Sequence, residues 1–165
     1  MPIDDELAAG RDLFSDWPPQ VRAAVQATTT DQLIRNDIYH LPGGLPTYIR
    51  SRIVVVGDAA HAMVPNSGHG SATVLEDGVC VGRMIAAAVT AGCDLAAAMA
   101  MFDRARRSRC RQIARQGLML ARLSDGLQGG WRQSARNALF RLTPARSMVK
   151  AGARTVHWTP PATDA

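Results

Sequence analysis

The sequence predicts an α/β chain that is mostly helical, with two or three strands. Three observations carry that expectation. Ile53 to Val56 is a short β-branched run that stops at Gly57-Asp58, the pattern of a fully buried strand. Pro65, Asn66, Ser67, Gly68 and Gly70 then crowd into one loop. Val74, Gly78, Val81, Gly82, Ile85 and Val89 follow at helical spacing, as do Leu95, Met99, Phe102, Ile113 and Leu120 over a longer segment.

Taken in order, residues 1–16 are polar and suit a short helix or a frayed end. Trp17-Pro18-Pro19 is a turn, and either proline can begin a helix running to about Thr28. Leu33 to Leu41 alternates and reads as a strand. Pro42 to Pro46 is a loop, Ile53–Val56 the next strand, and Ser71 to Ala91 a helix. Thr73 with Glu76 can form its capping box, or Ser71 its cap. Gly78 and Gly82 lie four apart on the apolar face. Each costs about 1 kcal/mol against alanine, so close packing on a sheet is the expected reason for them. Gly92-Cys93 ends the helix and Asp94 caps the next, which reaches about Leu123 with Arg104, Arg107, Arg111, Arg115 and Arg122 on an opposite stripe. Ser124-Asp125-Gly126 and Gly129-Gly130 break the chain before a helix over Trp131 to Leu142, and residues 144–165 read as a disordered tail.

Length and composition suit one domain: 165 residues, 47% hydrophobic and 20% charged. Two or three strands are too few for a self-sufficient parallel sheet, so exposed apolar edges are expected. The net charge of +5 hides an asymmetry. Residues 1–100 hold six arginines against eleven acids, while residues 101–165 hold thirteen Lys/Arg against three acids. Cys80, Cys93 and Cys110 lack metal-ligand spacing and form an odd count, which points to reduced thiols in a cytoplasmic protein, with no metal site. No apolar run is long enough to span a membrane.

The unit of strand, carboxylate, glycine-rich loop and helix start has the chemistry of a cofactor site. Asp58 at the strand end can accept hydrogen bonds from sugar-like hydroxyls, or can cap the turn. Free N–H groups at a helix start favour an anionic or electron-rich edge. Gly57-Asp58-Ala59-Ala60-His61, Pro65, Gly68-His69-Gly70 and Glu76-Asp77 resemble the second flavin fingerprint of FAD-dependent aromatic-ring monooxygenases, the p-hydroxybenzoate hydroxylase-like enzymes. The resemblance is specific from Arg50 to Ile85 and looser outside it. Phe102 to Arg107, followed by Arg109, is similar to the family's aromatic-then-arginine helix.

The resemblance implies the C-terminal fragment of a p-hydroxybenzoate hydroxylase-like FAD-binding fold with no N-terminal Rossmann βαβ unit, because no G-x-G-x-x-G turn follows a strand. It divides the chain into the end of a substrate domain and crossover strand (1–50), an FAD-contacting strand, loop and helix (51–92), basic helices (93–143) and the tail (144–165). It implies that Asp58 binds a ribityl hydroxyl of FAD and that Pro65 lines the isoalloxazine face. Gly68, His69, Gly70 and Ser71 would offer N–H groups to the pyrimidine edge. Ala72 departs from the family's usual asparagine, removing a polar contact. His61 reads as a structural residue of its turn, with an acid–base role as the rival reading; Glu76 and Asp77 can salt-bridge or cap.

The implied function is NAD(P)H- and O₂-dependent hydroxylation of a small aromatic or polycyclic substrate, with a second polypeptide supplying the dinucleotide-binding head. Two rival readings stand beside it. One is a catalytically silent remnant or interaction module. The other is a basic-helix binder of nucleic acid or a membrane surface, although the arginine stripe lacks interleaved aromatics.

Overall fold

The structure is a computed structural model that describes residues 5–125 and 130–161. It separates into two compact units, Met1–Ile38 and Tyr39–Ala165.

In the first unit, α1 (Glu6–Leu13) is capped by Asp5, whose carboxylate accepts from the Ala8 N–H at 2.8 Å. Pro18 and Pro19 start α2 (Pro19–Ala27), where a missing N–H costs nothing. Phe14 and Trp17 meet edge to face at 5.0 Å across the turn between the two helices. Arg35 closes the unit with salt bridges to Glu6 and Asp37.

The expected strand over 33–41 does not form. Alternation alone cannot make a strand without a neighbour to take its N–H and C=O groups, and no strand among the described residues lies alongside. Ile34 and Tyr39 are each 80% exposed.

The second unit opens with an antiparallel pair, β1 (Ile49–Arg50) and β2 (Ile53–Val54), in register Ile49 with Val54 and Arg50 with Ile53. The turn between them holds Ser51 at φ 56°, a conformation glycine or asparagine adopts more easily. Only Ile53–Val54 of the Ile53–Val56 run is strand, in a hairpin, and the run is not fully buried. Val54 and Val55 pack on the core, while Ile53 and Val56 stay exposed.

One helical turn, α3 (Asp58–His61), leads through a 3₁₀ turn at Pro65–Ser67 into α4 (Gly70–Cys80). The same rod continues through a π-helical turn, Val81–Ala86, into α5 (Ala87–Ala91), and Gly92 at φ 67° ends it. Helix α6 (Leu95–Asp125) begins at Asp94, whose carboxylate accepts from the N–H groups of Ala96 and Ala97, as expected for an N-cap. Helix α7 (Gly130–Leu142) matches the last expected helix; residues 126–129 of the break before it lie outside the described residues.

Residues Ala145–Val156, expected as disordered tail, form α8, which the Thr155 hydroxyl ties to Gln116 of α6 at 3.0 Å. The core consists of Tyr48, Ala60, Cys80, Met84, Phe102 and Cys110, with Trp158 packed against it. No helix among the described residues is long and apolar enough to cross a membrane.

Candidate functional site

The turn carrying Asp58 is built from glycine outward. Gly57 adopts φ 62° and ψ −145°, which a side chain resists, and its carbonyl accepts from the N–H groups of Ala60 and His61. A methyl at Gly57 would meet Val74 of α4 at an ordinary 3.5 Å, so the constraint is conformational and not steric. That contact also puts Asp58, the next residue, beside the first turns of α4.

Asp77 of α4 fixes both ends of the turn. Its Oδ2 accepts from the Gly57 N–H at 2.8 Å and lies 2.7 Å from His61 Nε2. Its Oδ1 accepts from Arg106 Nε at 2.7 Å. Arg106 reaches across from α6 and also donates to Glu76 Oε2 at 2.7 Å and to the Thr73 carbonyl at 3.1 Å. Arg109 forks onto both Glu76 oxygens at 2.6 Å, and Trp158 covers the Arg106 guanidinium at 5.5 Å. Nothing in the sequence singled out Arg106 as internal, because it lies among seven arginines of one helix and the apolar stripe carries no sign of it.

The electrostatics follow from these contacts. Burial pushes the Asp77 and Glu76 carboxyls up, but His61, the Gly57 N–H and the two arginines outweigh it and hold both below the carboxylate range. Burial pulls His61 down, yet its hydrogen bond to Asp77 prevails and raises it to about 10. The imidazole is thus a fixed cation at neutral pH, which fits the structural reading of His61 and not a proton shuttle. His61, Asp77 and Cys110 bring one donor atom each within 4.8 Å of one another.

Of the six residues singled out for a cofactor, Asp58, Pro65, Gly68 and Ser71 are exposed, while His69 and Gly70 are half-buried. Pro65 starts the 3₁₀ turn and Gly68, at φ 67°, ends it. His69 is the N-cap of α4 but caps nothing with its side chain, since its Nδ1 faces the Ser67 carbonyl. Neither Ser71 nor Thr73 caps the helix either. Thr73 is buried, and its hydroxyl donates back to the Gly70 and His69 carbonyls, because Glu76 is held by arginines and cannot complete a capping box. The N–H groups of Gly70, Ser71 and Ala72 therefore meet no acceptor among the described residues, and the Asp58 carboxylate meets no donor among them. Gly117 of α6, to which no sequence pattern pointed, makes the close approach under this loop: a Cβ there would stand 3.2 Å from Val64.

Known proteins align with this arrangement. A family model described as the FAD binding domain matches residues 22–117. The 2-heptyl-3-hydroxy-4(1H)-quinolone synthase of Pseudomonas aeruginosa is 33% identical over 141 residues, 86% of this chain and 34% of that enzyme. Salicylate hydroxylase of Pseudomonas putida is 34% identical over 102 residues, 61% of this chain and 23% of that enzyme. The crystal structure of Klebsiella pneumoniae HpxO complexed with FAD and uric acid shares the fold, with a TM-score of 0.71 at 21% identity over 94% of this chain and 39% of that one. The chain therefore spans a minor part of the length of the relatives it matches. With a family match that takes in the Asp58 turn, the glycine loop and all of α4, the chain belongs to the family of FAD-dependent aromatic-ring monooxygenases.

Proposed function

We propose that these residues form the flavin-ring-binding part of an NAD(P)H- and O₂-dependent hydroxylase of small aromatic or polycyclic compounds, completed by a dinucleotide-binding head on a second polypeptide. The observation that carries the reading is the pairing of an unpartnered Asp58 carboxylate with three unpartnered N–H groups at the start of α4. An acceptor beside a row of donors fits a group that offers hydroxyls at one end and an electron-rich ring edge at the other, as FAD does. Asp58 would hold a ribityl hydroxyl, and Pro65 would lie along the ring face. Gly68, His69, Gly70 and Ser71 would shape the donor row, whose helix-end field favours negative charge on the ring edge. FAD, when bound, supplies the redox chemistry; these residues bind and orient it.

A different feature supports a docking surface for the head. Val74, Leu75 and Val79 are exposed on α4, and nothing stands within 4 Å of where a Cβ would lie on Gly78 or Gly82. That smooth apolar strip suits close approach by another backbone. Of the arginines on α6, Arg106, Arg107, Arg109 and Arg111 are already spent on contacts within the chain, which weighs against a basic-helix nucleic-acid or membrane-surface binder. Three free thiols suit a reducing compartment such as the cytoplasm.

The test is the visible spectrum of the purified chain after FAD is added and unbound flavin removed. Retained flavin, reduced by Asp58→Ala, is the expected result. A folded chain that stays colourless, even with a head polypeptide from a relative added, would sink the proposal.

A further inference from the structure

Asp58 can serve a cofactor only if its turn keeps one shape, and Asp58 does not set that shape. Gly57, before it, sits at φ 62° and ψ −145°, and α3 is a single turn of four residues with no side-chain cap. A helix that short does not hold itself in water. What fixes the turn comes from outside it.

Asp77 brackets Asp58 from both sides. Its Oδ2 accepts from the Gly57 N–H at 2.8 Å, just before Asp58, and lies 2.7 Å from His61 Nε2, at the far end of α3. Asp77 is 1% exposed and His61 4%, so water cannot replace either one. Asp77 is itself held: Arg106 Nε donates to its Oδ1 at 2.7 Å, and the same guanidinium is fixed by Glu76 and the Thr73 carbonyl. On the other side of His61, the Tyr48 ring stands 6.0 Å away between centroids, and Cys110 Sγ lies within 4.8 Å of the His61 and Asp77 donor atoms.

A buried ion pair is weak evidence for a stabilising role, because apolar residues of similar size often serve as well. A carboxylate here does what no apolar residue could. It grips a backbone N–H on one side of Asp58 and a side chain on the other at the same time.

We infer that Asp77 and His61 are positioning residues for the cofactor: by gripping Gly57 and the end of α3, they aim the Asp58 carboxylate at the ribityl hydroxyl. The inference rests on the flavin reading above. It assigns part of the hold on the cofactor to two buried residues that act only through Asp58.

The experiment measures FAD affinity by fluorescence quenching, on the full chain with the head polypeptide of a relative added, beside urea denaturation of each variant. Asp77→Asn puts an NH₂ donor against donors it cannot satisfy. It should weaken FAD binding about tenfold, what one charge-assisted hydrogen bond is worth. Because Asp77 acts through Asp58, adding Asp77→Asn to Asp58→Ala should cost no further affinity. Met99→Ala, at a buried site of α6 outside the core cluster, should lower the urea midpoint and leave FAD affinity unchanged. Should Asp77→Asn fail to fold, His61→Gln, which frees only the far end of the turn, is read in the same cycle. Variants of Asp77 and His61 that lose stability but keep the parent's affinity overturn the inference, as do losses that add in full to that of Asp58→Ala. The flavin reading then still stands on Asp58→Ala. A folded parent that binds no FAD overturns both.

Discussion

The two faces of α4 have exchanged their usual contents. The face toward α6 buries Thr73, Glu76 and Asp77 together with Cys80, whereas the opposite face exposes Val74, Leu75 and Val79. A surface helix ordinarily buries its apolar stripe. Here the inward face is polar because its side chains bind other elements. Asp77 ties the Gly57–His61 turn, and Glu76 and Asp77 together receive Arg106 and Arg109. The outward face is apolar and exposed, and on the proposed reading it is the face that would meet the head. Substitutions on the two faces should therefore separate stability from the proposed docking.

The largest effect should come from Arg106→Met. It leaves the buried Asp77 with His61 and Glu76 with Arg109 as their remaining cationic partners, and removing one partner of a buried ion pair costs about 3–5 kcal/mol. Urea denaturation should show it, while Arg35→Ala, at an exposed pair, should change the midpoint little, by about 0–1 kcal/mol. Equal losses in the two variants would mean that the buried network is not special.

The pH profile is the next test. His61 is raised to about 10 in the folded chain, above its ordinary value of 6.5, so its contribution is fully present below pH 6.5 and is lost as pH rises toward 10. Asp77 and Glu76 are lowered, so theirs is present above the ordinary carboxylate range and is lost as pH falls below about 4. Thermal melts should therefore be highest between these limits. In His61→Gln the alkaline decline should flatten; if it persists unchanged, the imidazolium–Asp77 pair is not its source.

Gly57→Ala forces a side chain into a conformation reserved for glycine and should cost about 1–3 kcal/mol. The smallest effect should be on the other face. Gly78→Ala meets nothing within 4 Å, so it should stabilise the isolated chain by up to about 1 kcal/mol. The same variant should weaken docking of a head polypeptide in a pull-down. If both variants behave alike in denaturation, the contrast between the faces fails.

Local chemistry was legible in the sequence wherever one residue fixes one bond or one dihedral. Asp94 as a cap, Gly92 and the Ser67–Gly68 loop as stops, the prolines before α2 and the Gly57-Asp58 turn all stand where the residues placed them. So did the family, since its fingerprint is a string of such local requirements. Periodicity misled where a partner decides the outcome. Residues 33–41 alternate like a strand but no strand among the described residues lies alongside them. Ile53–Val56 reads as a buried strand, but only Ile53–Val54 pairs, and Ile53 and Val56 stay exposed.

The amino-acid sequence by itself determined where most of the helices before α8 start and stop and which turn presents Asp58, because capping, glycine dihedrals and proline act within a few residues. Only the tertiary structure decided which face of α4 is inside and that Arg106 belongs there. It alone gave His61 a carboxylate. Each of those is a contact between residues tens of positions apart, and the cost of burying a charge or a donor is set by what arrives from the other element, which no local pattern records.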